Sequence, residues 1–235
     1  VIIVGVGPVG LGIAHFAQAA GAKLRICDVN PVRLLRATVT KGLEGIELEE
    51  ALKINNVLIV LATGGNQKTI GQPTLTVDLM KVIPRNHVVT VAVMGSGEEV
   101  DTVELSQNAL WIKRSNGIVT FKLKTGATVH IIGTGKQAIN NEVCGGHPPH
   151  IMDPVLAYWI MLPIYFAKEK LKIPSGIHKV PLEIENSLSA LIVESLRVPY
   201  RFPTPEQAKH YNIHFWEYFE KCKNLGDVKD GKFEG

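Results

Sequence analysis

Cysteine is scarce in this chain, and its placement excludes two kinds of protein. Cys27, Cys144 and Cys222 lie far apart and are odd in number, so neither a disulfide framework nor a paired metal motif is available. The expectation is a reducing compartment, the cytoplasm. Charge of one sign is also lacking: the formal net charge is +3 over 235 residues, and no basic stretch is interleaved with aromatics. That excludes a nucleic-acid surface. The densest cationic cluster, Lys23, Arg25, Arg33 and Arg36, fits an exposed strand and helix face, with Arg25 and Arg33 close enough to Asp28 to affect a bound ribose. The apolar run Val155–Ala167 holds thirteen residues and an interior Pro163, short of the roughly 20 a membrane span needs. A buried or interface helix is expected there, and no membrane. His150, His178, His210 and His214 lack partners at metal-ligand spacing apart from His210 and His214, which have no acidic companions. No metal is expected. The start carries no basic patch with a cleavage site, so no secretory signal is read. It opens directly on an apolar strand without methionine, which suggests a piece of something longer.

What is present is an ordinary globular composition, 46% hydrophobic and 20% charged, enough to bury a substantial core. The informative stretch is Val1–Ala14, VIIVGVGPVGLGIA. It joins an apolar strand to Gly5, Gly7 and Gly10 and then to a helix-forming run. In a dinucleotide fold the first glycine makes the tight turn, the second lets the backbone approach a pyrophosphate, and the third lets helix and strand lie close. The helix N-terminus then faces the anion. Asp28 closes a second strand eighteen residues beyond Gly10, where its carboxylate can accept from both ribose hydroxyls and repel a 2′-phosphate. Capping of the helix that follows is the other reading of Asp28.

The spacing predicts strands at Lys23–Cys27, near Leu43–Ile46, at Val57–Leu61 and at Val88–Val93. Helices alternate with them at Val32–Val39, Leu48–Ile54 and Leu75–Val82, with Asn30 as a cap and Pro31 in the first turn. Ile112–Leu123 and Ala127–Gly133 read as β-rich segments joined by a turn at Lys124–Gly126, the last strands of the sheet. Beyond a glycine-rich loop, helices are expected at Val155–Leu171 and Leu182–Leu196, then a polar tail. The fold class is therefore α/β, a Rossmann-like doubly wound and mostly parallel sheet over residues 1–150, with a C-terminal helical extension over 151–235. Loops starting at Gly5, Asp28, Thr63, Gly95 and Asn140 would meet at the carboxyl ends of the strands. Thr63 and Gly64 suit a loop passing over a dinucleotide, or a plain turn. His147, after Gly145-Gly146 and before Pro148-Pro149, suits a working side chain on a loop, although such a histidine is often structural.

Together these landmarks resemble the cofactor-binding half of the S-adenosylhomocysteine hydrolase family, from Val1 to about Ile213. GVGPVGLG matches its GxGxxGxG turn, CDVNP its strand-end acid and Asp-Pro, LATGG its Thr-Gly loop, and MGSGEEVD its IGHFDxEID loop. IGTGKQAINNEVCGGHPPHIMD follows EGRLVNLGxxxGHPSFVMS, while SGIHKVP and TPEQAKHYNI echo GVHxLP and LTxxQAxYLG. The resemblance implies tightly held NAD. It assigns Gly5, Gly7, Pro8, Val9, Gly10, Asp28, Val29, Ala62, Thr63, Gly64, Met94, Gly95, Ser96, Asn140 and His147 to the cofactor, with His147 also catalytic. It implies a small adenosyl-type substrate, homo-oligomers, and a redox-assisted cleavage: oxidation at the ribose 3′ carbon acidifies the 4′ proton, the thiol is eliminated, water adds and the hydride returns.

The chain departs from the pattern in three places. Ser96 stands where the family has a histidine close to the nicotinamide. The family's C-terminal lysine and tyrosine have no match in WEYFEKCKNLGDVKDGKFEG. Its substrate domain precedes the region compared. Three functions follow: a hydrolase-like enzyme's NAD-binding domain, a silent NAD-binding paralogue acting as a regulatory or interaction module, or a free-standing dehydrogenase with exchangeable cofactor.

Overall fold

The computed structural model describes residues 1–64, 73–95, 98–135, 139–169 and 174–216. The chain divides into two compact units, Val1–His147 and Pro148–Gly235.

The first unit is wound around an eight-stranded sheet of order β3-β2-β1-β4-β5-β8-β7-β6. Its strands are β1 (Ile2–Val4), β2 (Arg25–Cys27), β3 (Glu44–Gly45), β4 (Val57–Leu61), β5 (Val88–Val93), β6 (Ala109–Ser115), β7 (Ile118–Leu123) and β8 (Thr128–Ile132). From β3 through β8 all neighbours are parallel, and only the β6–β7 and β7–β8 pairs are antiparallel. This is a Rossmann-like α/β fold. A parallel sheet is covered on both faces, so its central strands β1 and β4 are apolar at every position instead of alternating with polar residues. Ile2, Val4, Ile59, Leu61, Val89, Val91 and Val93 point one way, onto Leu52 of α3 (Leu48–Leu52), Val77 and Met80 of α4 (Val77–Met80) and Leu105 of α5 (Thr102–Asn108). Ile3, Ile26, Val60 and Ala92 point the other way, onto Ala14 of α1 (Pro8–Ala19) and Ala37 of α2 (Pro31–Lys41).

Two expectations change in this unit. The segment expected as a helix over Leu75–Val82 is helical only over Val77–Met80, because Leu75 pairs as an isolated bridge with Val100 and Thr76 caps the helix through its hydroxyl. Ile112–Leu123 is two strands, not one segment. Asn116 (φ 51°) and Gly117 (φ 72°) turn it back on itself, the Asn-Gly pair that favours a tight hairpin. Along the chain that hairpin comes between β5 and β8, but in the sheet it lies on the outer side of β8, which pairs parallel with β5.

In the second unit, α7 (Pro149–Glu169) and α8 (Leu182–Ser195) pack around Tyr165, Ile184, Ala190 and Trp216. Tyr165 donates to Glu183 Oε1 at 2.6 Å, and Trp216 Nε1 donates to Glu169 Oε1 at 2.8 Å. The hydrogen bond to Glu183 chiefly, with desolvation, pushes the Tyr165 phenol up to about 12. Helix α7 begins six residues earlier than expected. Its 21 residues make it long and apolar enough to cross a membrane by length and composition alone; it is not the buried helix expected, since Tyr165 is its one buried residue. The tail expected to be polar contains α9 (Pro205–Tyr211), started by a capping box in which Thr204 and Gln207 exchange side-chain and backbone hydrogen bonds.

Candidate dinucleotide site

Strand register brings several of the sequence-derived site residues to one edge. Val4 pairs with both Cys27 and Leu61, and Leu61 with Val93. Gly5, Asp28, Ala62 and Met94 therefore follow the last paired residues of four adjacent strands. The ladder runs one step beyond them: Gly5 N–H donates to the Cys27 carbonyl, Ala62 N–H to Val4 and Met94 N–H to Leu61, each at 2.8 Å. Ile132, the end of β8, pairs with Ala92, and the chain continues through Gly133 to α6 (Ile139–Glu142), which carries Asn140.

The three glycines of the turn have different local reasons. Gly5 sits at φ +92°, and a Cβ there would meet the Ala62 carbonyl at 2.6 Å; a Cβ on Gly10 would meet the Gly5 carbonyl oxygen at 1.8 Å. No side chain fits at either. Gly7 is open by contrast, with the Arg33 guanidinium 3.8 Å from where its Cβ would stand. Gly7 is also the N-cap of α1, which lacks a side-chain cap and has no acidic residue in its first turn. Its leading N–H groups, beside exposed Pro8 and Val9, retain the partial positive charge that receives a phosphate. Gly12 has open space around it, so packing within the unit does not require it.

Asp28 ties the second strand to this turn. Its Oδ2 accepts from Val6 N–H and its Oδ1 from Asn30 N–H, both at 2.7 Å. The cap of α2 is Asn30, whose Oδ1 accepts from Val32 and Arg33 N–H. A carboxylate has about four lone-pair positions, so these two bonds fix Asp28 while leaving acceptor capacity. Val29 beside it is fully exposed.

The loops after β4 and β5 are joined by a residue the sequence did not single out. Glu99, 1% exposed, accepts from Thr63 N–H at 2.9 Å, from the Thr63 hydroxyl, and from Gly95 N–H at 3.2 Å. Thr63 Oγ1 also lies 2.8 Å from Thr74 Oγ1. A third carboxylate, Glu142 of α6, accepts from the N–H and hydroxyl of Thr134 after β8. The sequence signal for Glu99 is its place in MGSGEEVD, opposite the glutamate of the IGHFDxEID loop that the stretch resembles; its neighbour Glu98 is exposed. Ser96 lies outside the described residues. His147 is exposed at the end of the first unit, after Gly145 and Gly146 in left-handed backbone. Among the described residues no cluster of metal-binding side chains occurs, and Cys27 is half-buried, with desolvation pushing its thiol up.

The edge, the turn and the strand-end acid define a dinucleotide-binding α/β domain. The family model of the S-adenosyl-L-homocysteine hydrolase NAD binding domain matches residues 1–145, and the chain belongs to that family. It is 28% identical over 216 residues to an adenosylhomocysteinase of Nostoc sp., covering 90% of this chain and 48% of that protein. It is 27% identical over 219 residues to an S-inosyl-L-homocysteine hydrolase of Methanopyrus kandleri, covering 92% and 49%. The chain thus spans about half the length of the curated relatives it matches. Among solved structures, the shikimate 5-dehydrogenase of Thermus thermophilus in complex with NADP(H) and shikimate is 22% identical, covering 38% of this chain and 33% of its own, with TM-score 0.29. NAD is the cofactor this domain family binds.

Proposed function

We propose that this chain is the part of a hydrolase-like enzyme that holds NAD throughout turnover, while the substrate is gripped by residues beyond the matched region. One observation carries the reading: a glycine turn too tight for any side chain at Gly5 or Gly10 but open at Gly7, next to an uncapped helix N-terminus and a carboxylate fixed by two N–H groups. That is a cradle with room for a pyrophosphate and an acceptor for a ribose diol.

In this reading the backbone from Gly5 through Pro8 and Val9 to Gly10 takes the pyrophosphate, with Arg33 as a nearby cation. Asp28 and Val29 take the adenosine ribose and disfavour a 2′-phosphate. Ala62, Thr63, Gly64, Met94, Gly95 and Ser96 line the way to the nicotinamide, and Asn140 and His147 meet it. Bound NAD supplies a reversible hydride acceptor. The chain's own tasks are to keep that cofactor from leaving and, through His147, to move a proton. The cofactor domain is the unit Val1–His147, and the helices from Pro149 onward belong to the unit that follows it. The substrate class is a purine-nucleoside thioether of homocysteine, since the relatives' names include both adenosyl and inosyl forms. The setting is cytoplasmic. The exposed stripe Val32, Leu35 and Val39 along α2 supports a homo-oligomer, which light scattering of the natural protein would reject by finding a monomer.

The decisive experiment adds adenosine, then inosine, to the natural full-length protein and records absorbance of enzyme-bound NADH. The expected result is copurified oxidised NAD and a nucleoside-dependent rise near the nicotinamide band. Bound NAD with no such rise would reject the enzyme reading in favour of a silent paralogue.

A further inference from the structure

We infer that Glu99 is the positioning residue of the nicotinamide-side half of the cofactor site, holding Thr63 after β4 and Gly95 after β5 in the arrangement the dinucleotide crosses. The inference rests on the NAD-binding reading above and goes beyond it by giving a role to a side chain that need not touch the cofactor.

A carboxylate almost wholly removed from water is unfavourable unless donors surround it. Among the described residues, the donors that face Glu99 are the N–H and hydroxyl of Thr63 and the N–H of Gly95. Thr63 is 36 residues away along the chain. Neither loop could satisfy the charge alone. Each therefore has its backbone held by the other's requirement, and the two strand ends become one rigid surface.

The carboxylate is itself held firmly in place. The Glu99 carbonyl accepts from Leu75 N–H at 2.9 Å, and the adjacent Val100 bridges to Leu75. A third segment thus fixes the backbone from which the side chain reaches inward. Two site residues gain a different explanation from this. The Thr63 hydroxyl is turned toward Glu99 and Thr74 and its N–H toward Glu99, so these groups hold the strand end in place instead of reaching for the cofactor. Gly95 is required by the carboxylate as well as by any ligand, because a Cβ there would stand 2.8 Å from Glu99 Oε2.

The glycine turn and Asp28 are not among these bonds. Adenosine and pyrophosphate recognition belongs to the β1–β2 side of the fold, and the nicotinamide riboside extends toward β4 and β5. Loss of the Glu99 carboxylate should therefore weaken NAD far more than ADP, which carries only the first half.

The test is calorimetric titration of NAD and of ADP into the natural full-length protein stripped of copurified nucleotide, as wild type and as Glu99→Gln. The amide keeps the size of the carboxylate but presents an NH2 to one loop's N–H. The expected result is an NAD dissociation constant raised about tenfold, with ADP changed less than twofold and circular dichroism unaltered. Equal weakening of both ligands, or of neither, would overturn the proposal. If Glu99→Gln does not fold, Thr63→Val decides: it removes the hydroxyl donor and keeps the N–H, and a severalfold loss confined to NAD is expected. Unchanged NAD affinity in that variant would equally overturn it. A folded wild type that binds ADP but not NAD refutes the cofactor reading itself, and the Glu99 role with it.

Discussion

The two sides of the carboxyl edge are built by different means. On the β1–β2 side, shape comes from backbone: Gly5 and Gly10 leave 2.6 Å and 1.8 Å where a Cβ would stand, and the single side chain involved, Asp28, lies beside the turn it holds. On the β4–β5 side, shape comes from one buried side chain, Glu99, reaching across 36 residues. The first kind of construction leaves a local spacing of small residues in the chain, although Gly5 is fitted against Ala62 of the neighbouring strand end. The second depends on tertiary contacts and leaves almost no local trace.

The contrast can be broken or sharpened in order of effect. Gly10→Ala should be the most damaging change, since its Cβ meets backbone that cannot yield. A loss of about 3 kcal/mol is expected, or on the order of 10 °C in melting temperature, together with NAD binding. A melting temperature within about 2 °C of wild type would show that the close approach is not needed. Gly7→Val should separate fit from stability. With no atom nearer than Arg33 at 3.8 Å, it should lower stability by only about 1 kcal/mol through a poorer cap, yet weaken NAD on the order of 100-fold by blocking the anion's approach. Unchanged affinity would remove the pyrophosphate assignment.

Away from the edge, Gly117→Ala in the β6–β7 hairpin places a side chain at φ +72°. It should cost about 1 kcal/mol in denaturant unfolding, with NAD affinity unaffected. Any selective loss of NAD would mean that the hairpin helps shape the site. The smallest effect lies in the second unit. The Tyr165 phenol is pushed up to about 12 by donating to Glu183, so the protonated form is favoured by folding. Its stabilisation should be complete below about pH 10, the usual tyrosine range, and be lost as pH rises toward 12. Trp216, whose ring lies 5.4 Å from that of Tyr165, should report the change by fluorescence. A Tyr165→Phe variant should lack this component, and an identical alkaline transition in both proteins would disprove the linkage.

Legibility in the sequence followed the same division. The parallel strands Val57–Leu61 and Val88–Val93 could be read to the residue because doubly covered strands are continuous apolar runs between polar breaks. The cap at Asn30 and the turn at Gly5–Gly10 were equally local. Two further signals were present but not read: Asn116-Gly117 as a hairpin turn, and Thr204 with Gln207 as a capping box. The start of α7 was hidden because Pro149 and the residues after it precede the apolar stretch, and proline is well tolerated in a first turn. Glu99 and Glu142 belong to another category. Motif likeness marks the position of Glu99, but its burial against Thr63 and Gly95, where Glu98 stays exposed, is settled by the whole packed sheet.

The bare start of α1 has a consequence for the protein's life in a cell. Most helices carry a residue that closes their first turn; this one leaves the position to whatever anion arrives, so NAD would complete a piece of secondary structure. At one thousand times its dissociation constant, a ligand that binds only the folded state adds about 4 kcal/mol to stability. Protein made when nicotinamide is scarce would then be the fraction first lost to proteolysis, and its abundance would follow the supply of the vitamin before any rate was measured.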